Sequence, residues 1–129
     1  MGQEYLIDSN ILIDYAANRI PYKGSYFIEE IFENQFIISV IAKIEVLGFN
    51  DFPHKMEAME NFVGLAQLIP LNERIIKQTI DLRRKYKKLK LGDAIIAATA
   101  LVYHLTLLTR NINDFKNIEN LYLINPYEI

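Results

Sequence analysis

An α/β fold built on a mainly parallel sheet is predicted by three features of the chain. Five short apolar runs alternate with segments whose apolar residues recur at helical spacing, from residue 5 to residue 124. The 129 residues are 51% hydrophobic, with no repeat, low-complexity stretch or linker, which points to one domain, 1–129, with a real core. The segment 91–104 is almost wholly apolar, as expected of a central helix packed on a sheet covered on both faces.

Each element follows from local chemistry. Residues 5–7 read as a buried strand. Asp8, Ser9 and Asn10 offer three helix caps in succession, and Ile11, Leu12, Tyr15 and Ala16 recur at helical spacing to about Arg19, before Pro21 breaks the helix. Phe27, Ile28, Ile31 and Phe32 form the stripe of a second helix over 26–33, and 36–39 is the second strand. Ser39 caps a helix that turns Ile41, Ile44 and Leu47 inward and stops near Gly48. Pro53 opens the next, with Met56, Met59, Phe62 and Val63 on its core face; 68–70 is the third strand. Asn72 caps a helix with Ile75, Ile76, Ile80 and Leu82 inward, which runs into a basic cluster. After the apolar helix 91–104, residues 105–109 and 121–124 supply the last two strands.

Composition excludes several classes. With no cysteine, disulfides, thiolate metal sites and cysteine nucleophiles are all absent, and His54 and His104 lack the partners of a zinc site. The N-terminus carries Glu4 and Asp8 rather than a basic leader, and Gly2 lacks the hydroxyl residue at position 6 that myristoylation wants. The uncharged stretch 94–109 is too short for a membrane span and contains Thr, Tyr and His. A cytoplasmic protein without a membrane partner is expected. The net charge of −2 speaks against a nucleic-acid binder, yet Arg83, Arg84, Lys85, Lys87, Lys88 and Lys90 crowd just before Asp93. That cluster is either a solvated helix end or a grip for a polyanion.

The chemistry lies in four acids at the polar ends of apolar runs: Asp8, Glu45, Asp93 and Asp114. If the first, second and fourth runs are parallel strands, their ends share the sheet edge where α/β folds place ligands. Carboxylates gathered there repel unless a divalent cation compensates them, which predicts a Mg²⁺ or Mn²⁺ site suited to phosphodiester chemistry. Each acid also has an innocent reading. Asp8 could be a helix cap, Asp93 a first-turn carboxylate, and Asp114 part of an Asx-turn in the loop 111–114. Glu45 shares a helical face with Ile41 and Ile44, so a partly buried carboxylate needing a partner is expected. Asp14, one turn beyond Asn10, is assigned a structural or rim role. Tyr22, Tyr26 and Phe27 form either a partner-binding face or the ordinary packing of the second helix.

Four stretches carry a family pattern: residues 5–15, beginning Tyr5-Leu6-Ile7-Asp8-Ser9-Asn10; residues 39–45, ending Lys43-Ile44-Glu45; residues 91–100, beginning Leu91-Gly92-Asp93-Ala94; and residues 108–115, ending Asn113-Asp114-Phe115. In these stretches the chain resembles the PIN-domain ribonucleases, most closely the VapC-type toxins of toxin–antitoxin pairs. The resemblance covers nearly the whole length. It implies a three-layer α/β/α sandwich with a five-stranded sheet, and a metal-dependent endoribonuclease leaving 5′-phosphate and 3′-hydroxyl ends. It carries the family's catalytic and metal-binding acids onto Asp8, Glu45, Asp93 and Asp114, with Asn10, Thr109 and Asn111 in support. RNA is then the substrate, held by Lys87, Lys88 and Lys90, and the partners are a cognate antitoxin and a second copy of the chain. An antitoxin helix would lie near Tyr15, Tyr22, Tyr26 and Phe27. One departure is Ala42, where the family often has a hydroxyl residue three before the glutamate. The alternative is a non-catalytic binding module, for nucleic acid or protein, that keeps the fold and an acidic pocket. A haloacid-dehalogenase-type phosphatase would need aspartate at Asn10, and a response-regulator receiver would need one after the third strand.

Overall fold

A computed structural model describes residues 4–129; Gly2 lies outside the described residues. Five strands, β1 (Tyr5–Ile7), β2 (Ile37–Ser39), β3 (Gln67–Ile69), β4 (Thr106–Leu108) and β5 (Leu123–Ile124), form one sheet in the order β3-β2-β1-β4-β5. All four pairings are parallel, with Leu6 opposite both Ile37 and Leu107. The helices are α1 (Ser9–Ala16), α2 (Tyr22–Glu33), α3 (Val40–Leu47), α4 (Pro53–Val63), α5 (Glu73–Lys85), α6 (Leu91–Tyr103) and the short α7 (Ile112–Phe115). A 3₁₀ turn, Pro126–Glu128, closes the chain.

Alternation along the strands divides the core in two. Leu6, Ile37 and Leu107 point to one face and pack with α5, α6 and Phe115 of α7. Ile7, Ile38 and Leu108 point to the other and pack with α1 to α4. The result is the three-layer sandwich the sequence predicts. On the second face Phe32, Phe36 and Phe62 meet ring to ring, with centroids 4.8–5.3 Å apart.

Several element boundaries and faces differ from the sequence reading. The first helix stops at Ala16, three residues early, and Asn18 adopts a left-handed conformation. Pro21 begins the second helix rather than merely ending the first, since its fixed φ of −55° suits a helix start and α2 begins at Tyr22. In α3 the buried residues are Ala42 and Val46, and Ile44 is exposed. In α5 they are Ile75, Thr79 and Leu82, while Ile76 and Ile80 face solvent. In both helices closely spaced apolar residues compete for the core, Ile44 with Val46 and Ile76 with Ile75, and the packing partner decides. Residues 112–115 form a helical turn where a loop is predicted.

One close approach depends on glycine. Gly24 of α2 lies under the carbonyl of Pro126, and a Cβ there would stand 1.9 Å from that oxygen. Gly24→Ala gains helix propensity but must push the C-terminal turn away. A net loss of about 1–3 kcal/mol is expected in urea unfolding, the usual scale of overpacking; unchanged or increased stability would show that the turn yields freely.

Candidate functional site

The chain passes from β1 outward to β3, then returns to the far side of β1 to lay down β4 and β5. The order therefore switches between β1 and β4, and the crevice beyond their C-terminal ends is where such sheets bind ligands. Asp8 follows β1 and Thr109 follows β4, so the register that sets Ile7 beside Leu108 brings the two side by side.

Asp8 is only 4% exposed and caps α1, its Oδ1 accepting from the Ser9 N–H at 2.8 Å. Its Oδ2 accepts from the Thr109 hydroxyl at 2.8 Å and from Asn10 Nδ2 at 3.1 Å. Thr109 Oγ1 in turn accepts from the Asn111 N–H at 3.0 Å, and Asn10 Oδ1 from the Arg110 N–H at 3.1 Å. Donors from α1 and from the turn after β4 thus occupy most of the carboxylate's roughly four acceptor positions and fix its aim. Burial pushes the Asp8 carboxyl above the usual aspartate range; Thr109, Ser9 and Asn10 pull it back, and Glu45 adds repulsion.

Asp93 sits half-buried in the first turn of α6. Its carboxyl is raised to about 6, first by burial and then by the charges of Asp114, Asp8 and Glu45, with Lys90 opposing. The four acids spread through the sequence therefore act on one another in space. Asp114 lies exposed on α7, within a helical turn rather than an Asx-turn loop.

Glu45 is not buried as the sequence reading expects. It is exposed, because α3 turns Ala42 and Val46 to the core and leaves the neighbouring face open. Its partner is the Ser9 hydroxyl, which donates to Oε1 at 3.0 Å from α1. Ala42 is fully buried, so the hydroxyl beside Glu45 comes from another helix. Ser9 was legible only as one of three capping candidates; nothing in its spacing pointed to Glu45.

The basic cluster divides. Arg83 donates to the Leu89 carbonyl at 3.2 Å and so ties down the connection between α5 and α6, while Lys85 pairs with Glu119 at 3.2 Å and joins the end of α5 to the segment between α7 and β5. Lys87, Lys88 and Lys90 line a cleft of about 350 Å³ together with Asp93, Asn113 and Asp114. The aromatic face divides too. Tyr22 and Tyr26 are 83% and 59% exposed, whereas Phe27 packs against Tyr5 and Tyr15 against Phe32.

The donor set fits a hard divalent cation: carboxylate oxygens, with an Asp93 whose anion is penalised by its neighbours. Among the described residues, no three acids or histidines are drawn together tightly enough to hold one ion as placed. Asp8 and Glu45 each accept a hydrogen bond from a hydroxyl, of Thr109 and Ser9 respectively.

A PIN domain family model matches residues 5–121. Ribonuclease VapC2 of Rickettsia felis is 30% identical over 132 residues, spanning 94% of this chain and 96% of its own. Ribonuclease VapC10 of Mycobacterium tuberculosis is 28% identical over 120 residues, spanning 90% of this chain and 89% of its own. Among solved structures, a chain of a toxin–antitoxin complex from Klebsiella pneumoniae superposes with a TM-score of 0.79 at 34% identity, covering 98% of this chain and all of that one.

The Asp93 carboxyl has a thermodynamic consequence. Unfolded, it titrates near 3.8; folded, near 6. Between those values the folded protein binds more protons, so without metal this group's contribution to stability falls as pH rises through the window. Asp93→Asn removes that dependence. In EDTA, the thermal midpoint of the variant relative to the parent is expected to rise between pH 4 and pH 7; a difference that shrinks with pH would contradict the mutual repulsion.

Proposed function

The chain belongs to the PIN-domain family, in its VapC branch, and on that premise we propose a divalent-metal-dependent endoribonuclease, the toxin of a toxin–antitoxin pair. What supports the proposal is that Asp114, Asp8 and Glu45 all lie near enough to Asp93 for their charges to raise its carboxyl, with Asp8 at the sheet's switch point. Asp8, Asp93 and Asp114 are the proposed primary ligands, and Glu45 ligates or orients the attacking water. Asn10, Thr109 and Asn111 hold Asp8 and the turn beside it. A bound Mg²⁺ or Mn²⁺ supplies an acidified water and charge compensation on the phosphoryl oxygens.

The chain's own residues do the rest. The lysine-lined cleft opens beside Asp93 and Asp114, so a backbone phosphate held by Lys87, Lys88 or Lys90 lies next to the acids. This lets a protein of net charge −2 bind a polyanion locally. For the antitoxin, Tyr22 and Tyr26 on α2 are the proposed contact, a narrower face than Tyr15 and Phe27 would have made. Ile44, Phe49, Phe52 and Leu65 are exposed apolar residues available to a homodimer. The alternative, a non-catalytic binding module, has one observation on its side: the acids do not close on a common point.

Cleavage separates the two readings. RNA incubated with the purified protein and Mg²⁺ or Mn²⁺ is expected to be cut, and EDTA to stop it. Asp8→Asn and Asp93→Asn are expected to lower the rate about a hundredfold or more; an Asp8 variant as fast as its parent would refute the catalytic site.

Binding tests the cleft. Changing Lys87, Lys88 and Lys90 together to Gln is expected to weaken RNA affinity and to reduce the log–log salt slope by about 2, at roughly 0.7 for each single-strand phosphate that is no longer neutralised. An unchanged slope would leave the cluster a solvated connection.

A further inference from the structure

Arg110, in the turn that carries Thr109, is tied to α1 twice. The Arg110 N–H donates to Asn10 Oδ1 at 3.1 Å, and its guanidinium Nη1 donates to Asp14 Oδ2 at 2.7 Å. Asn10 and Asp14 lie one turn apart on α1, so the two ties hold the orientation of the turn as well as its position. Asp14 is 2% exposed, more deeply buried than Asp8. A carboxylate this buried is retained where it is paired and hydrogen-bonded. Arg110 provides one partner, and Arg19 approaches the other oxygen at 3.9 Å. The Tyr127 hydroxyl donates to the same Oδ2 from the C-terminal turn. That turn is itself held: the Tyr127 N–H donates to Asn125 Oδ1 at 3.0 Å, and Pro126 seats on Gly24 of α2.

We propose that Asp14, Arg110 and Tyr127 are a positioning unit for the acidic site: a buried carboxylate, paired with a half-exposed arginine and hydrogen-bonded from the C-terminal turn, that sets the 109–111 turn against α1. The proposal rests on the reading of the four acids as a divalent-metal site. Through Arg110 the unit aims the Thr109 hydroxyl at Asp8 and fixes the start of α7, which carries Asp114. It also keeps the Arg110 guanidinium, 48% exposed and next to the acids in sequence, engaged with Asp14 rather than with a ligand carboxylate.

The test is Mn²⁺ binding by titration calorimetry, well below the thermal midpoint, with melting in EDTA measured in parallel. Tyr127→Phe removes one hydroxyl and is expected to bind Mn²⁺ about tenfold more weakly than the parent, on the scale of lost supporting bonds around a metal site. Asp14→Asn is expected to lose more. A merely structural tie would lower the melting midpoint and leave the dissociation constant unchanged, and that result in Tyr127→Phe overturns the proposal even if Asp14→Asn fails to fold. Asp8→Asn reports on the underlying reading. If the parent binds no Mn²⁺, or Asp8→Asn binds it as tightly as the parent, the metal site fails and the positioning unit with it. Loss in Asp8→Asn with full affinity in Tyr127→Phe sinks the positioning unit alone.

Discussion

The pairing of β1 with β4 is the constraint on which the site depends. Residues 8 and 109 are far apart in the chain, yet the parallel register sets Ile7 opposite Leu108, and the next residue on each strand is the one that matters. The ladder continues one step further through the Asp8 N–H to the Leu108 carbonyl at 3.0 Å. Slipping the register by one residue would turn Leu107 and Leu108 to the wrong layers and move Thr109 off Asp8. The hydrophobic division of the sheet and the alignment of the acidic site are therefore enforced by the same bonds.

Around that pair the molecule tolerates an unfavourable arrangement. Burial of Asp8 and the crowding of Asp93 both raise the cost of the ionised forms. The protein answers with neutral donors on Asp8 and with Lys90 near Asp93, but, among the described residues, not with a direct ion pair to either. The ion pair of this region, Asp14 with Arg110 at 2.7 Å, is made to a different carboxylate. Full compensation by fixed cations would make a more stable apoprotein and leave less reason for a mobile cation to bind. Lys87, Lys88 and Lys90 line the cleft beside Asp93 and Asp114 instead.

Helices on the two faces serve different ends. On the face of α5 and α6 the apolar helix α6 lies against the sheet with Ala94 through Ala100 buried, which holds Asp93 at a fixed height above the strand ends. On the other face, packing is dominated by rings and leaves α2 with Tyr22 and Tyr26 outside. Ser9, at the start of α1, reaches Glu45 on α3, so the second face also contributes to the site through a helix-to-helix bond.

The α/β class, the five strands and the caps at Ser39 and Asn72 were legible from periodicity and capping chemistry, which are properties of neighbouring residues. The four acids were legible as ends of apolar runs, and their family resemblance pointed to a shared role. What sequence could not decide was which apolar residues of a helix face the core: Ile44 and Ile76 lost to Val46 and Ile75 because only the opposing layer distinguishes them. Nor could it expose Glu45, join Ser9 to it, separate Lys85 from Lys87, or give Asp14 its partners Arg110 and Tyr127, more than ninety residues away in the chain. Local propensity determines that a segment is a helix or a strand; a hydrogen bond between distant segments exists only once the sheet has set their distance.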